Sequence, residues 1–216
     1  MTNKNEWKKL ADKYLQQDKE QTIKVWNKIE ELDLDSAEKL LNTPELVKLY
    51  ISKYRLYSSS VEKKLLNTPE LVKLYISKYR LCSSSEEKLL NTPELVKLYI
   101  SKYSLCSYSA EKLLNTPELV KLYISKYRLW SSSEEKLLNT PELVKLYISK
   151  YGLYSSSAEE KLLNTPELVK LYISKYYLCS SSAEKLLNTP ELVKLYINKY
   201  GINGNLKKVI INFSSN

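Results

Sequence analysis

Along residues 68–81, polar side chains fall at Glu70, Lys73, Ser77 and Arg80. Steps of 3, 4 and 3 trace one stripe of an α-helix. Leu71, Val72, Leu74, Tyr75, Ile76, Tyr79 and Leu81 fill the rest, with Lys78 as one further polar position. An apolar surface this wide suits a helix packed between two neighbours. Thr68-Pro69-Glu70 predicts its start. The Thr hydroxyl can cap a free amide, Pro at the first position sacrifices no hydrogen bond, and Glu meets the positive end of the helix dipole. The next stretch, Ser84-Ser85-Glu86-Glu87-Lys88-Leu89-Leu90, opens with Ser-x-x-Glu, the spacing of a capping box. It has room for about two turns and predicts a short α- or 3₁₀-helix. Asn91 closes it ahead of another Thr-Pro.

That pattern recurs down the chain. Pro stands at 44, 69, 93, 117, 141, 166 and 190, at steps of 24 or 25. Thr43 to Tyr54 repeats unchanged in six copies, and the seventh differs only at Asn198. A fixed period of this size predicts a solenoid, in which each unit buries its apolar face against the next. The expected fold is therefore all-α: a right-handed solenoid of seven 24–25-residue helix–short-helix repeats with a helical N-terminal cap. Three segments follow: a cap at 1–35, the array at 36–200, and a cap or tail at 201–216. Two copies carry one extra residue, near Lys63-Lys64 and Glu159-Glu160. It is expected just before the Leu-Leu pair, on a tolerant outer surface.

Leu71-x-x-Leu74-x-Ile76-x-x-Tyr79-x-Leu81 resembles the leucine-rich repeat. That resemblance implies an α/β horseshoe, the alternative fold. Where that family places Asn, this chain has Tyr at 54, 79, 103, 127, 151, 176 and 200. Tyr has no amide to satisfy backbone groups in the turn after a strand. The period and the Asn-Thr-Pro-Glu-Leu phrase also resemble the leucine-rich variant repeat, which implies an α plus 3₁₀ solenoid. Thr43-Pro44-Glu45-x-Val47 with Ser52 is similar to the opening of a TAL-effector repeat. In that family the two residues after the Ser read bases; here they are Lys and Tyr in every copy.

Composition narrows the chemistry. The 216 residues include no His and three Gly. Without His there is no Ser-His-Asp or Cys-His catalysis and no His-ligated zinc or haem. Gly152, Gly201 and Gly204 make no phosphate-cradling loop. The expectation is a protein that is not an enzyme, with no cofactor and no small-molecule substrate. The start of the chain lacks the apolar run of a secretory signal, and no stretch approaches the roughly 18 apolar residues of a membrane span. Three Cys argue against a disulfide framework. A cytoplasmic location follows as an expectation. The cysteines, one per unit at most, are expected as partly buried free thiols.

The net charge is +9. Residues 1–42 are net −1, so the rest carries +10. Lys48, Lys73, Lys97, Lys121, Lys145, Lys170 and Lys194 occupy one equivalent position. Stacking would align them roughly 10 Å apart, about one Debye length at ~0.1 M salt. They form either a basic ridge for phosphates or a solvated face paired with Glu three residues earlier. Two sites vary between copies. One reads Arg55, Arg80, Ser104, Arg128, Gly152, Tyr177, Gly201; the other reads Tyr57, Cys82, Cys106, Trp130, Tyr154, Cys179, Asn203. Such sites are either a recognition surface or drift after duplication. The invariant tyrosines, such as Tyr75 and Tyr79, read as inter-repeat core with the hydroxyl at the edge, or as a base-stacking ladder. Candidate ligand contacts are Lys73, Lys97, Lys121, Lys145, Lys170, Arg80, Arg128 and Trp130. The expected function is a scaffold that binds a protein or peptide. The alternatives are nonspecific nucleic-acid binding and a synthetic or recently expanded array with no evolved ligand.

Overall fold

A computed structural model of the chain describes residues 41, 44–56 and 58–201. The expected N-terminal cap at 1–35 and the tail at 202–216 lie outside the described residues, as does the first short helix at 36–42 apart from buried Leu41. Thirteen α-helices and no strand occur among the described residues. They are α1 (Pro44–Lys53), α2 (Ser59–Leu65), α3 (Pro69–Lys78), α4 (Ser83–Leu89), α5 (Pro93–Ile100), α6 (Ser107–Leu113) and α7 (Pro117–Ile124). Then come α8 (Ser131–Leu137), α9 (Pro141–Ile148), α10 (Ser156–Leu162), α11 (Pro166–Ile173), α12 (Ser180–Leu186) and α13 (Pro190–Tyr200). Long and short helices alternate, so the architecture is a helical repeat solenoid. The horseshoe is excluded where it needed a strand, because residues 69–78 are helical.

The chain divides into two compact units, one ending at Tyr99 and the other beginning at Ile100. In the first, α1 packs on α3 and α2 on α4. In the second, α7, α9, α11 and α13 pack in succession, and so do α6, α8, α10 and α12. Within each unit, long helices thus form one layer and short helices another.

Local chemistry fixes each boundary. Thr68, Thr92, Thr116, Thr140, Thr165 and Thr189 each accept a hydrogen bond at 3.3–3.4 Å from the amide three residues on. Thr68 is extended, at φ −126° and ψ 151°, as a residue before Pro must be. Each short helix ends at the second Leu of the Leu-Leu pair. Leu66, Leu90 and Leu138 sit near φ −85 to −90° and ψ 55 to 59°, close to the inverse γ-turn, which swings the chain toward Asn-Thr-Pro.

Two boundary expectations are corrected. The short segments are α-helices, but Ser84 is not the cap of α4. The N-cap is Cys82, which makes no side-chain capping bond. The extra residue of the longer copies also lies elsewhere. Both α2 and α4 have seven residues, and Glu62 aligns with Glu86 when the terminal leucines are matched. The added residue therefore sits in the connection ahead of the helix. There it moves the cap onto a serine: Ser58 accepts from the Ser60 amide, and Ser155 from the Ala158 amide. Two buried leucines at the helix end hold the register, so only the connection can absorb an insertion.

The core repeats with the sequence. Leu71, Val72, Tyr75 and Ile76, then Leu81, Leu89 and Leu90, are all buried, and so are their described equivalents except half-exposed Ile197. Leu74 falls outside it, half-exposed, and its equivalent Leu146 is exposed.

Neighbouring long helices are also stitched end to end. Lys78 Nζ donates to the Ser52 carbonyl at 2.7 Å, and Lys126 Nζ to the Ser101 carbonyl at 2.7 Å. Lys150 and Lys175 donate likewise to the Ser125 and Ser149 carbonyls. Each ammonium meets a carbonyl at the negative end of the preceding long helix, where the backbone lacks a helical partner. Lys126→Met is expected to lower stability by about 1 kcal/mol. Lys121→Met, five residues earlier and within α7, is expected to leave the urea midpoint unchanged. Equal effects of the two changes would refute the stitch.

Candidate binding surfaces

Buried among the polar side chains are carboxylates that the repeat pattern did not single out. Glu62, Glu86 and Glu134 are fully buried and Glu159 nearly so. Each sits in a short helix and faces the first invariant Tyr of the following long helix. The Tyr75 hydroxyl donates to Glu62 Oε1 at 3.2 Å, Tyr99 to Glu86 at 3.0 Å, Tyr147 to Glu134 at 3.0 Å, and Tyr172 to Glu159 at 3.1 Å. The other oxygen accepts a backbone amide from beyond the long helix. Cys82 N reaches Glu62 Oε2 at 3.0 Å, Tyr154 N reaches Glu134 Oε2 at 3.0 Å, and Cys179 N reaches Glu159 Oε2 at 2.8 Å. One carboxylate thus ties a short helix to the next long helix and to the entry of the next short helix.

Burial raises the Tyr75, Tyr99, Tyr147 and Tyr172 hydroxyls above the ordinary phenol value, and the adjacent carboxylates raise them further. Burial also raises the Glu134 carboxyl, opposed by the Tyr154 amide, the Tyr147 hydroxyl and Arg128. These tyrosines are core, and the hydroxyl points to a buried carboxylate instead of the edge. They cannot stack bases. The second invariant Tyr, such as Tyr79 or Tyr151, is half-buried and tilts against the first at 5.2–5.3 Å.

The first variable site is joined to this network. Arg128 donates to the Gly152 carbonyl at 2.7 Å and lies 3.8 Å from the centre of the Tyr154 ring. It also lowers the Tyr147 hydroxyl by hydrogen bonding and by charge. Arg55 likewise reaches the Arg80 carbonyl at 3.4 Å and lowers the Tyr75 hydroxyl. Arg80 does the same for Tyr99. Within this one chain the sites change together. Arg55, Arg80 and Arg128 accompany Glu62, Glu86 and Glu134, whereas Ser104 and Tyr177 accompany Ala110 and Ala183. Gly152 with Glu159 is the exception. An Arg beside a buried carboxylate offsets its charge, and Ala needs no such partner.

The second variable site faces outward. Trp130 is 54% exposed, Tyr154 51% and Tyr177, from the first site, 62%. Tyr177 lies against Tyr200 with ring centres 3.9 Å apart. Cys82 and Cys106 are half-buried as expected; Cys179 is exposed, which corrects that expectation. No cluster of three or more His, Cys, Asp or Glu side chains fit for a metal occurs among the described residues. No helix among them is long and apolar enough to cross a membrane.

The candidate lysines divide cleanly by position. Lys73 and Lys97 in the first unit, and Lys121, Lys145 and Lys170 in the second, are all exposed. Lys121, Lys145 and Lys170 stand on α7, α9 and α11, which pack in succession. Glu pairing occurs instead on the short helices: Lys136 with Glu111, Lys161 with Glu135, and Lys185 with Glu160, at 2.5–2.6 Å.

The Leu-Asn-Thr-Pro turn lines a cleft that the repeat pattern alone does not foretell. In the first unit a cavity of about 320 Å³ is bounded by Leu66, Asn67, Thr68, Pro69, Val72, Leu89 and Asn91, with Lys63 and Lys88. In the second unit the equivalent residues, Leu138, Asn139, Thr140, Pro141, Val144, Leu162 and Asn164, bound one of about 270 Å³, with Glu135 and Lys161. Asn67, Asn91, Asn139 and Asn164 are all exposed at the rim. Compared with known proteins, the chain matches no family model, no curated protein and no solved structure.

Two outcomes follow from the buried network. Glu134→Ala strands the Tyr147 hydroxyl and the Tyr154 amide, at an expected cost of about 2 kcal/mol. Arg128→Ser alone is expected to cost about 1 kcal/mol, and the double variant less than the sum by about as much. Strict additivity in urea denaturation would disprove the coupling. The raised tyrosines set the alkaline limit. A folded-state value above the unfolded 10.0 favours the fold fully below about pH 10, and this is lost as pH rises through the folded value. The urea midpoint is expected to hold from about pH 7 to 9 and then fall, with the last tyrosinate absorbance appearing only on unfolding. Full ionisation of all tyrosines in the folded protein would contradict this.

Proposed function

We propose that the chain is a non-catalytic repeat scaffold that binds an extended peptide segment of a protein partner along the Leu-Asn-Thr-Pro clefts. The observation that carries this reading is the recurrence of one cleft, apolar at its floor and edged by an exposed carboxamide, in both compact units. A carboxamide offers both a donor and an acceptor, and each peptide group needs both. Helices pack about 8–10 Å apart and an extended chain advances ~3.3 Å per residue, so each repeat takes about three residues. The Leu, Pro and Val floor accepts an apolar side chain at each step.

A second reading, nonspecific binding of a nucleic-acid backbone, is favoured by one observation. Lys121, Lys145 and Lys170 project from packed neighbouring helices and are exposed. Both readings are tested together. A displayed library of random peptides is expected to yield binders that the combined Asn67, Asn91, Asn139 and Asn164→Ala variant no longer holds. An oligothymidylate is expected to bind weakly, and Lys121, Lys145 and Lys170→Gln to leave peptide binding intact. No selected peptide, or binders indifferent to the four asparagines, sinks the peptide reading. Oligothymidylate affinity that falls steeply with salt, with a slope reduced in the lysine variant, establishes the second one instead.

A further inference from the structure

The short helices of the second unit carry a ladder of ion pairs from one repeat to the next, and a rung of the first unit is built differently. Glu111, Glu135 and Glu160 occupy one equivalent position, and each meets the Lys of the following short helix: Lys136, Lys161 and Lys185. The pair Glu135–Lys161 stands at the wall of the second-unit cleft. A Ser157 hydroxyl at 2.8 Å completes that carboxylate, and Lys161 and Ser157 together hold it below the usual carboxylate range. The position reads Lys63 in α2. Its counterpart across the cleft is Lys88, equivalent to Lys161. Both line the first-unit cavity of about 320 Å³ together with Asn67, Thr68 and Asn91.

The same backbone therefore presents two ammonium groups where its copies present a closed ion pair. Glu62 is the carboxylate next in sequence to Lys63, but it is fully buried and bound by Tyr75 and Cys82, so it cannot neutralise the cleft. Two like charges lining one cleft repel, and a bound carboxylate removes the repulsion by taking the place of the missing Glu. Two exposed carboxamides supply further donors at the rim.

We propose that the cleft between α2 and α4, lined by Lys63 and Lys88, is an acid-selective subsite that takes a carboxylate side chain of the bound peptide, so that the partner segment is acidic there. This rests on the peptide-binding reading above and adds a preference to it. Lys63→Glu restores the residue found at the equivalent rung of the other pairs, so the variant is built to fold and closes the subsite with an ion pair to Lys88. Lys63→Gln removes the charge alone. Glu135→Lys opens a second such subsite in the other unit.

The probe is a fluorescein-labelled oligoglutamate of about ten residues, which spans several repeats at ~3.3 Å per residue, beside its oligoglutamine counterpart. Anisotropy is expected to show oligoglutamate binding that Lys63→Gln weakens by about fivefold and Lys63→Glu abolishes, with circular dichroism unchanged. Titration calorimetry is expected to show added stoichiometry in Glu135→Lys. Equal affinity for the two peptides, or no change in Lys63→Glu, overturns the subsite while leaving the scaffold reading standing if library peptides still bind. If no peptide binds at all, both fail. Competition by inorganic phosphate or oligothymidylate, at matched ionic strength, that exceeds oligoglutamate and vanishes in Lys63→Glu overturns the carboxylate assignment in favour of a phosphate.

Discussion

Where a buried carboxylate stands in the short helix, it fixes how that helix sits on the elements that follow it. Taken out of water, Glu62 or Glu134 is costly unless both oxygens are satisfied. The tyrosine hydroxyl of the next long helix satisfies one, and a backbone amide at the entry to the next short helix satisfies the other. These partners come from three successive elements, so the bond set forms only when the elements sit in one relative arrangement. Apolar burial holds the layers together without direction; the carboxylate supplies the direction. Units with Ala110 or Ala183 keep the buried Tyr but lack that clamp. There the Tyr123 hydroxyl donates to the Leu105 carbonyl, at 3.5 Å.

A second device works at the surface. The chain is rich in Lys, and two rows that look alike in sequence have different fates. Lys73 and its equivalents stand free in solvent. Lys78 and Lys126, a few residues on, reach back to carbonyls ending the preceding long helix. The difference is one of angular position. Five residues separate the rows, about 500° of turn, which is about 140° around the helix. One row is turned away from the preceding helix and the other leans over its end. A net charge per repeat therefore overstates what is available to a ligand, because the second row already serves the backbone.

The helical repeat, its period and its starts were legible because each depends on neighbours in sequence. Thr before Pro dictates a cap, and the 3-4-3 spacing dictates a face. What depended on residues far apart in sequence was not legible. Glu62 and Tyr75 are thirteen residues apart and look like a surface acid and a core aromatic. The capping box at Ser84 failed for a similar reason. Seen locally, Ser-x-x-Glu is a helix start, but the buried leucines at the helix end set its phase and leave Cys82 at the cap, as they leave Cys106 ahead of Ala110. The extra residue of the long copies was misplaced because sequence alignment cannot tell which end of a helix is anchored. The clefts at Leu-Asn-Thr-Pro were invisible because they need the next repeat to form one wall.

The variable positions gain meaning from that same long-range accounting. Considered one at a time, Arg55, Ser104, Arg128, Gly152 and Tyr177 look either selected for a ligand or free to drift. Considered with the buried position that follows, Arg goes with Glu and neutral residues go with Ala, save at Gly152. A site free of constraint would show no such pairing, and a site shaped only by a ligand would have no reason to follow a fully buried residue. The pairing instead follows from electrostatics: a carboxylate inside needs a cation within reach, and the guanidinium can meet it while its far end bonds the carbonyl one repeat on. At Gly152 the constraint is steric. A Cβ there would come within 3.2 Å of the Tyr176 ring, so that ring must shift before any side chain can stand above Glu159. Variation at this first site is thus governed mainly from within the fold. The outward second site, with Trp130 and Tyr154, and the rung changed at Lys63 are where the repeats differ without an internal reason.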